Sequence, residues 1–157
     1  DAYHLFAMGK KISDGGTYLE IGSYIGGSLI CVYEATKVSG AKIKFIGIEN
    51  NIRPKLRINT KFIPHLKIIA SRSDEAKGRI RNNSADLLFI DGAHHYEQIK
   101  RDISNYWPKL KIRGILSGHD YTHHKQHQGI VKAANEAFGK KLTVLKNSRI
   151  FMIKRTK

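Results

Sequence analysis

Two spacings of apolar residues alternate along this chain. Short apolar runs bounded by Gly, Asp or Asn, such as 87–90, are typical of buried parallel strands. Between them lie segments with apolar residues every three or four positions, the spacing of an amphipathic helix. The pattern predicts strands over 17–22, 42–49, 66–70, 87–90, 113–117, 142–145 and 149–153, and helices over 1–13, 27–38, 51–60, 96–107 and 129–138. One more helix is expected to start at Ser73, with the Ser73 hydroxyl as its cap.

The alternation of strands and helices favours an α/β fold. Right-handed crossovers lead to a Rossmann-like, doubly wound sheet of about seven strands, mostly parallel, with helices on both faces. Only Asn147 and Ser148 separate the last two predicted strands, which predicts an antiparallel C-terminal strand. We expect residues 1–16 to form a short lead-in helix and turn, and 17–157 a single domain. The first residue is Asp rather than Met, so we expect a trimmed or excised piece of a longer protein.

The composition indicates the cellular compartment of the protein but not its reaction. Cys31 is the single cysteine, which excludes a disulfide framework and fits a reducing compartment. The chain has no apolar run of about 18 residues and no signal peptide, so we expect a cytoplasmic protein without membrane contact.

The formal charge of +15, from 28 Lys and Arg against 13 Asp and Glu, is compatible with a nucleic-acid partner. The basic residues are dispersed, however, and no basic run is interleaved with stacking aromatic residues. A solvated, Lys-rich surface is therefore the favoured interpretation.

Candidate chemistry gathers where predicted strands end, because ligands of open α/β sheets bind outside the carboxyl ends of the strands. The first candidate is the turn after the first strand, which contains Gly22, Ser23, Tyr24 and Gly26 and follows Glu20. Glycines there allow a ligand to approach the backbone and the free amides of the next helix. Tyr24 breaks the G-x-G-x-x-G spacing, so the turn is not built to seat a diphosphate.

Glu49 ends the second predicted strand. An acid at this place can accept two hydrogen bonds from a ribose diol, as expected for nucleoside-bearing cofactors in this architecture. The alternative is a solvated acid at a strand end.

With Ser73, Asp91, His94 and the segment 118–121, these residues resemble the class I S-adenosylmethionine-dependent methyltransferases. The closest branch is the small O-methyltransferases that act on hydroxyls of sugars, catechols and macrolides, and the resemblance covers residues 17–154. It implies that the cofactor contacts Glu20, Gly22, Ser23, Tyr24 and Gly26 through its methionine moiety, Glu49 through its ribose, Ser73 through its adenine edge, and Asp91 where the cofactor and acceptor pockets join. Arg72 departs from the family pattern, since an acid often stands there.

His94 follows Asp91 by three residues, so its imidazole can point back over the same pocket. Histidine titrates near neutral pH and can accept a hydroxyl proton. The resemblance implies that His94 is the general base, with Asp91 beside it. In catechol-type relatives a Lys fills the place of His94. The alternative is that His94 or His95 caps the following helix; His94 is the stronger candidate for the base.

A divalent cation is the last candidate. The strands that end at Asp91 and Asp120 are expected to be neighbours about 4.8 Å apart, and two carboxylates that close call for a positive charge between them. The resemblance implies Mg²⁺ or another divalent cation on Asp91, His119 and Asp120, although an imidazole suits a hard cation less well than an oxygen. The nearby His123, His124 and His127 are compatible with a zinc site or with a polar substrate loop.

The sequence thus predicts an S-adenosylmethionine-dependent enzyme that methylates a hydroxyl of a small molecule or sugar. Two other functions stay open: an RNA methyltransferase, which would use the basic surface, and a non-catalytic domain that binds S-adenosylmethionine. The acceptor and the oligomeric state are not encoded in any motif.

Overall fold

A computed structural model describes residues 1–156, and its strands form one mixed sheet. The sheet order is β3-β2-β1-β4-β5-β7-β6, in which β1 to β5 are parallel and β7 runs antiparallel to both β5 and β6. This confirms the predicted doubly wound sheet with an antiparallel C-terminal strand. The strands are β1 Thr17–Ile21, β2 Lys44–Glu49, β3 Leu66–Ala70, β4 Ala85–Ile90, β5 Leu110–Gly118, β6 Thr143–Val144 and β7 Phe151–Lys154.

The helices cover both faces of the sheet and bury two separate apolar clusters. They are α1 Ala2–Gly9, α2 Gly27–Ser39, α3 Pro54–Thr60, α4 Ser73–Ala76, α5 Tyr96–Tyr106 and α6 Gln128–Phe138. One cluster contains Leu5, Leu29 and Leu56 and joins α1, α2 and α3 to the sheet. The other contains Ile99 and Ile130 and joins α5 and α6 to the opposite face. None of the helices within residues 1–156 has the length and hydropathy needed to span a bilayer.

Several local predictions were wrong, among them the helix predicted over 1–13, which ends at Gly9. The helix predicted over 51–60 begins only at Pro54, whose fixed φ and missing N–H suit a first helical position. The fifth strand begins at Leu110 rather than at 113, because Leu110 pairs with Ala85. The register of this pairing then shifts between Ala85 and Leu87, and the sequence pattern does not indicate the shift. Ser73 is not a hydroxyl cap; Arg72 occupies that position, and Ser73 is the first residue of α4.

The strand order places the site. β1 is paired with β2 on one side and with β4 on the other. The order in which strands are added to the sheet therefore reverses between β1 and β4. The loops that follow β1 and β4 therefore leave toward opposite faces and open a crevice at the carboxyl edge.

Candidate active site

A cleft of about 770 Å³ opens at this edge. It brings together most of the residues that the sequence singles out, although they come from five separate strand ends. Its lining includes Gly22, Ser23, Tyr24, Glu49, Ser73, Asp91, His94, His119 and Asp120. Two predicted residues, Glu20 and Gly26, are not among the lining residues; Glu20 is fully buried in β1, and Gly26 is the N-cap residue before α2.

The turn after β1 requires glycine at two positions. Gly22 has φ +88°, and a Cβ there would lie 2.3 Å from the carbonyl oxygen of Asp91. Gly26 has φ +89°, and a Cβ there would lie 2.4 Å from the Cγ2 atom of Thr60. The turn therefore packs directly on the loop after β4, and α2 begins at its end with amides free of helical partners.

Glu20 lies beneath this turn. The hydroxyl of Tyr18 donates a hydrogen bond of 2.5 Å to its Oε2 atom. Burial raises the pKa of Glu20 to about 7, and the nearby hydroxyls of Ser28, Tyr18 and Ser23 offset part of that effect. Within the described residues, Glu20 Oε1 and Ser23 Oγ are buried without a hydrogen bond of good geometry. A ligand amine or ammonium group is the kind of donor that this turn leaves room for.

The raised pKa predicts a stability that depends on pH. The pKa of Glu20 in the unfolded chain is the ordinary value of 4.5, so between this pH and about 7 the folded state retains a proton that the unfolded chain has lost. The resulting stabilisation is complete below pH 4.5 and is lost as the pH rises to about 7. We expect Glu20→Gln, which stays neutral, to gain about 3 kcal/mol in unfolding free energy over the parent between about pH 4 and pH 8. Urea unfolding without cofactor measures this, with the exposed Glu34→Gln as control; a constant difference between variant and parent would contradict it.

Glu49 ends β2 with its carboxylate already oriented. Its Oε2 accepts a hydrogen bond from the backbone N–H of Tyr24 at 2.8 Å, and its Oε1 accepts one from the N–H of Asn51 at 2.9 Å. Each carboxylate oxygen can accept further hydrogen bonds. The carboxylate therefore lies in the lining of the cleft with acceptor capacity for a diol.

A buried polar network closes the end of the cleft next to β3. The Ser73 hydroxyl donates to Asp102 Oδ1 at 2.6 Å, and Gln98 Nε2 donates to Ser73 Oγ at 3.1 Å and to Asp102 Oδ1 at 3.0 Å. Burial raises the pKa of Asp102. Both Gln98 and Asp102 line the cleft and were missed from the sequence. The available signal was an acid at 102 beside the apolar face formed by Ile99 and Ile103.

Asp120 is the centre of a second polar cluster. Its Oδ1 lies 3.3 Å from His119 Nδ1 and 3.0 Å from Arg149 Nη1, and its Oδ2 lies 3.2 Å from His94 Nε2. His119 Nδ1 also lies 3.4 Å from Asp91 Oδ1, and this contact raises the pKa of His119. The imidazole of His119 thus lies between the carboxylates of Asp91 and Asp120, where it reduces the repulsion between them.

The capping alternative for the histidines is not what the structure shows. His95 is the residue before α5, but its side chain makes no capping hydrogen bond. The His94 ring lies against Asp120 instead.

Two other residues of the cluster, Asp1 and Arg149, were missed from the sequence, whereas His127 was named there among the histidines compatible with a zinc site or a polar loop. The carboxylate of Asp1 lies 3.1 Å from His119 Nε2 and accepts a hydrogen bond of 2.8 Å from the backbone N–H of Arg149. His127 Nε2 lies 3.8 Å from Asp120 Oδ2. These residues are far apart along the chain, so no local spacing links them.

Comparison with known proteins gives a family. Residues 19–121 match the family model described as "Methyltransferase domain". "Uncharacterized protein R132" of Acanthamoeba polyphaga mimivirus is 29% identical over 133 residues, which cover 78% of this chain. The chain spans only 59% of the length of that relative.

Solved structures share the fold at low identity. The O-methyltransferase NovP superposes with a TM-score of 0.79 at 12% identity, over 99% of this chain and 79% of its own. An rRNA methylase from Streptococcus thermophilus superposes with a TM-score of 0.72 at 10% identity, over 99% of this chain and 95% of its own. At these identities the similarity concerns the fold alone.

Proposed function

This chain belongs to the methyltransferase-domain family, within the class I S-adenosylmethionine-dependent methyltransferases, and on that premise we propose that it methylates a hydroxyl oxygen of a small molecule or sugar. The observation that supports oxygen as the acceptor is the pairing of His94 with Asp120 inside the cleft, since a hydroxyl must lose its proton during transfer.

The lining of the cleft supports a binding site for S-adenosylmethionine. We assign the methionine moiety to the turn of Gly22, Ser23, Tyr24 and Gly26 above Glu20, where buried polar atoms lack partners. We assign the ribose diol to Glu49, whose two oxygens are held in place by backbone amides.

The adenine edge is assigned to the end of the cleft at Ser73. The hydroxyl of Ser73 is already donated to Asp102, so its side chain acts as part of the network with Gln98 rather than alone. This network supplies an acid near the place where Arg72 replaces the acid that the family often has.

Proton removal is assigned to His94. When bound, S-adenosylmethionine supplies an activated methyl group on sulfur. His94 Nε2 lies 3.2 Å from Asp120 Oδ2, and we assign the ring proton to this nitrogen, which leaves Nδ1 with a lone pair for the proton of the acceptor hydroxyl. Asp91, at the junction of the turn and the loop after β4, orients the acceptor from the side of His119.

A magnesium ion on Asp91, His119 and Asp120 fits these residues poorly. Their donor atoms lie within 4.8 Å of one another, but Mg²⁺ prefers oxygen and the set offers only two carboxylates. The Arg149 guanidinium lies 3.0 Å from Asp120 Oδ1 and places a positive charge there, and His119 lies between the two acids. We therefore assign no step to a metal at these residues.

The net charge of +15 favours one competing acceptor, RNA. Radiolabelled methyl transfer should be measured to a catechol, a nucleotide-linked sugar, a macrolide glycoside and total cellular RNA. We expect transfer to one of the small molecules, with an O-methyl product by NMR. Label in RNA that disappears as salt is raised would support the RNA methyltransferase instead. Cofactor binding without transfer to any of these acceptors would support a non-catalytic domain.

A further inference from the structure

The cluster around Asp120 contains a second set of metal-binding atoms, separate from the predicted one. We propose that His94, Asp120 and His127 bind a divalent transition-metal ion of the zinc class, and that this ion inhibits the enzyme. The facing donor atoms of these three residues lie within 4.8 Å of one another. Two imidazoles and one carboxylate form a set typical of zinc and other late first-row metals.

Asp120 divides its two oxygens between different partners. Oδ1 faces His119 and Arg149, whereas Oδ2 faces His94 Nε2 at 3.2 Å and His127 Nε2 at 3.8 Å. An ion on the Oδ2 side therefore leaves the contact with Arg149 intact. The positive charge of Arg149 beside Oδ1 favours this orientation of the carboxylate, a role that outer partners commonly have for metal ligands.

The distances suit the ion. Zn²⁺ holds imidazole nitrogen and carboxylate oxygen at about 2.0–2.1 Å in a tetrahedral arrangement, which puts neighbouring donor atoms about 3.3 Å apart. The distance from His94 Nε2 to Asp120 Oδ2 is 3.2 Å. The distance from His127 Nε2 to the same oxygen is 3.8 Å and closes by about half an ångström on binding.

His127 supplies the second, independent observation. Its side chain is 15% exposed, and its Nδ1 is buried without a hydrogen-bond partner among residues 1–156. Its Nε2 lies beyond hydrogen-bond distance from Asp120, so neither ring nitrogen makes a hydrogen bond within residues 1–156. The ring is held by packing, edge-on to His94 with 5.0 Å between centroids. A largely buried imidazole without partners loses free energy, and a ligand at Nε2 restores the part that belongs to that nitrogen.

The inhibition of methyl transfer by a bound metal ion rests on the proposed function. A metal at His94 Nε2 forces the remaining ring proton onto Nδ1, the atom assigned to take the acceptor proton. The imidazole can then no longer act as a base. Binding itself does not depend on that assignment.

Titration calorimetry with Zn²⁺ alone tests the binding. We expect one ion per chain, an affinity on the order of 100-fold weaker in His127→Asn, and an unchanged affinity in the exposed matched control His123→Asn. Mg²⁺ at the same concentration should neither bind nor compete. Absence of Zn²⁺ binding overturns the proposal, as does binding that survives His127→Asn and is lost in His119→Asn.

Two further measurements keep the test decisive. Unchanged binding of S-adenosylhomocysteine by His127→Asn shows that the variant folds, and anomalous scattering at the zinc edge from crystals of the intact chain identifies the ligands directly. An anomalous peak away from His127 overturns the proposal. If zinc binds as expected and no acceptor is methylated even in its absence, the proposed function fails while the metal site stands.

Discussion

Replacement of Glu49 by Ala is expected to weaken the binding of S-adenosylhomocysteine by at least about 100-fold. Hydrogen bonds to a charged group contribute about 1.5–3 kcal/mol each, and the ribose diol loses two of them in this variant. The variant also removes the acceptor for the amides of Tyr24 and Asn51, which loosens the turn beside the ribose. Isothermal titration calorimetry measures the affinity directly.

Two variants separate the ribose contact from a general loss of structure. Glu34→Ala removes an exposed acid on α2 that pairs only with Lys37 among the described residues, and should bind as the parent does. Glu49→Gln keeps one carbonyl oxygen for the amides and should show an intermediate loss. Equal affinity in Glu49→Ala and the parent would remove the ribose assignment, and no binding by the parent would remove the cofactor assignment.

Replacement of His94 by Asn is expected to lower kcat by about 10²–10⁴-fold, the range typical of a lost general base. Affinity for S-adenosylhomocysteine should change by less than about twofold, because the assigned cofactor contacts lie on other side chains. Single-turnover transfer of labelled methyl to the acceptor found in the screen provides the measurement.

His95→Asn is the matched control, because His95 is the same residue type at the next position and its side chain makes no capping hydrogen bond. It should retain the parental rate. If His94→Asn transfers methyl as fast as the parent, the base is another group. If both histidine variants lose activity and stability together, the role is structural.

Local spacing places the residues that we assign to the cofactor at one edge of the sheet. Glu20, Gly22, Gly26 and Glu49 lie at or next to the ends of two short strands, and a parallel sheet brings such ends to one edge whatever the details of packing. The glycine requirement at Gly22 follows the same logic, because the turn must pass close to the loop after β4.

The cluster around Asp120 was predicted only in part. Asp91 and Asp120 follow two adjacent strands, β4 and β5, and the strand order expected from the sequence already places these strands side by side. The positive charge beside Asp120 comes from Arg149 near β7, and a further carboxylate, that of Asp1 before α1, faces His119. Both residues reach the cleft only because the antiparallel strand and the first helix pack there. No pattern in the sequence links residues 148 positions apart.

By itself, the sequence determined the strand and helix order, the parallel sheet with its antiparallel C-terminal strand, and the edge at which chemistry gathers. These follow from short-range periodicity and from the chirality of crossovers, which any chain with this pattern obeys. Only the tertiary structure decided which side chains face one another: Ser73 toward Asp102 rather than as a cap, and His94 and His127 toward the same oxygen of Asp120. The reason is that such contacts depend on loop paths and side-chain packing between distant segments, which periodicity does not encode.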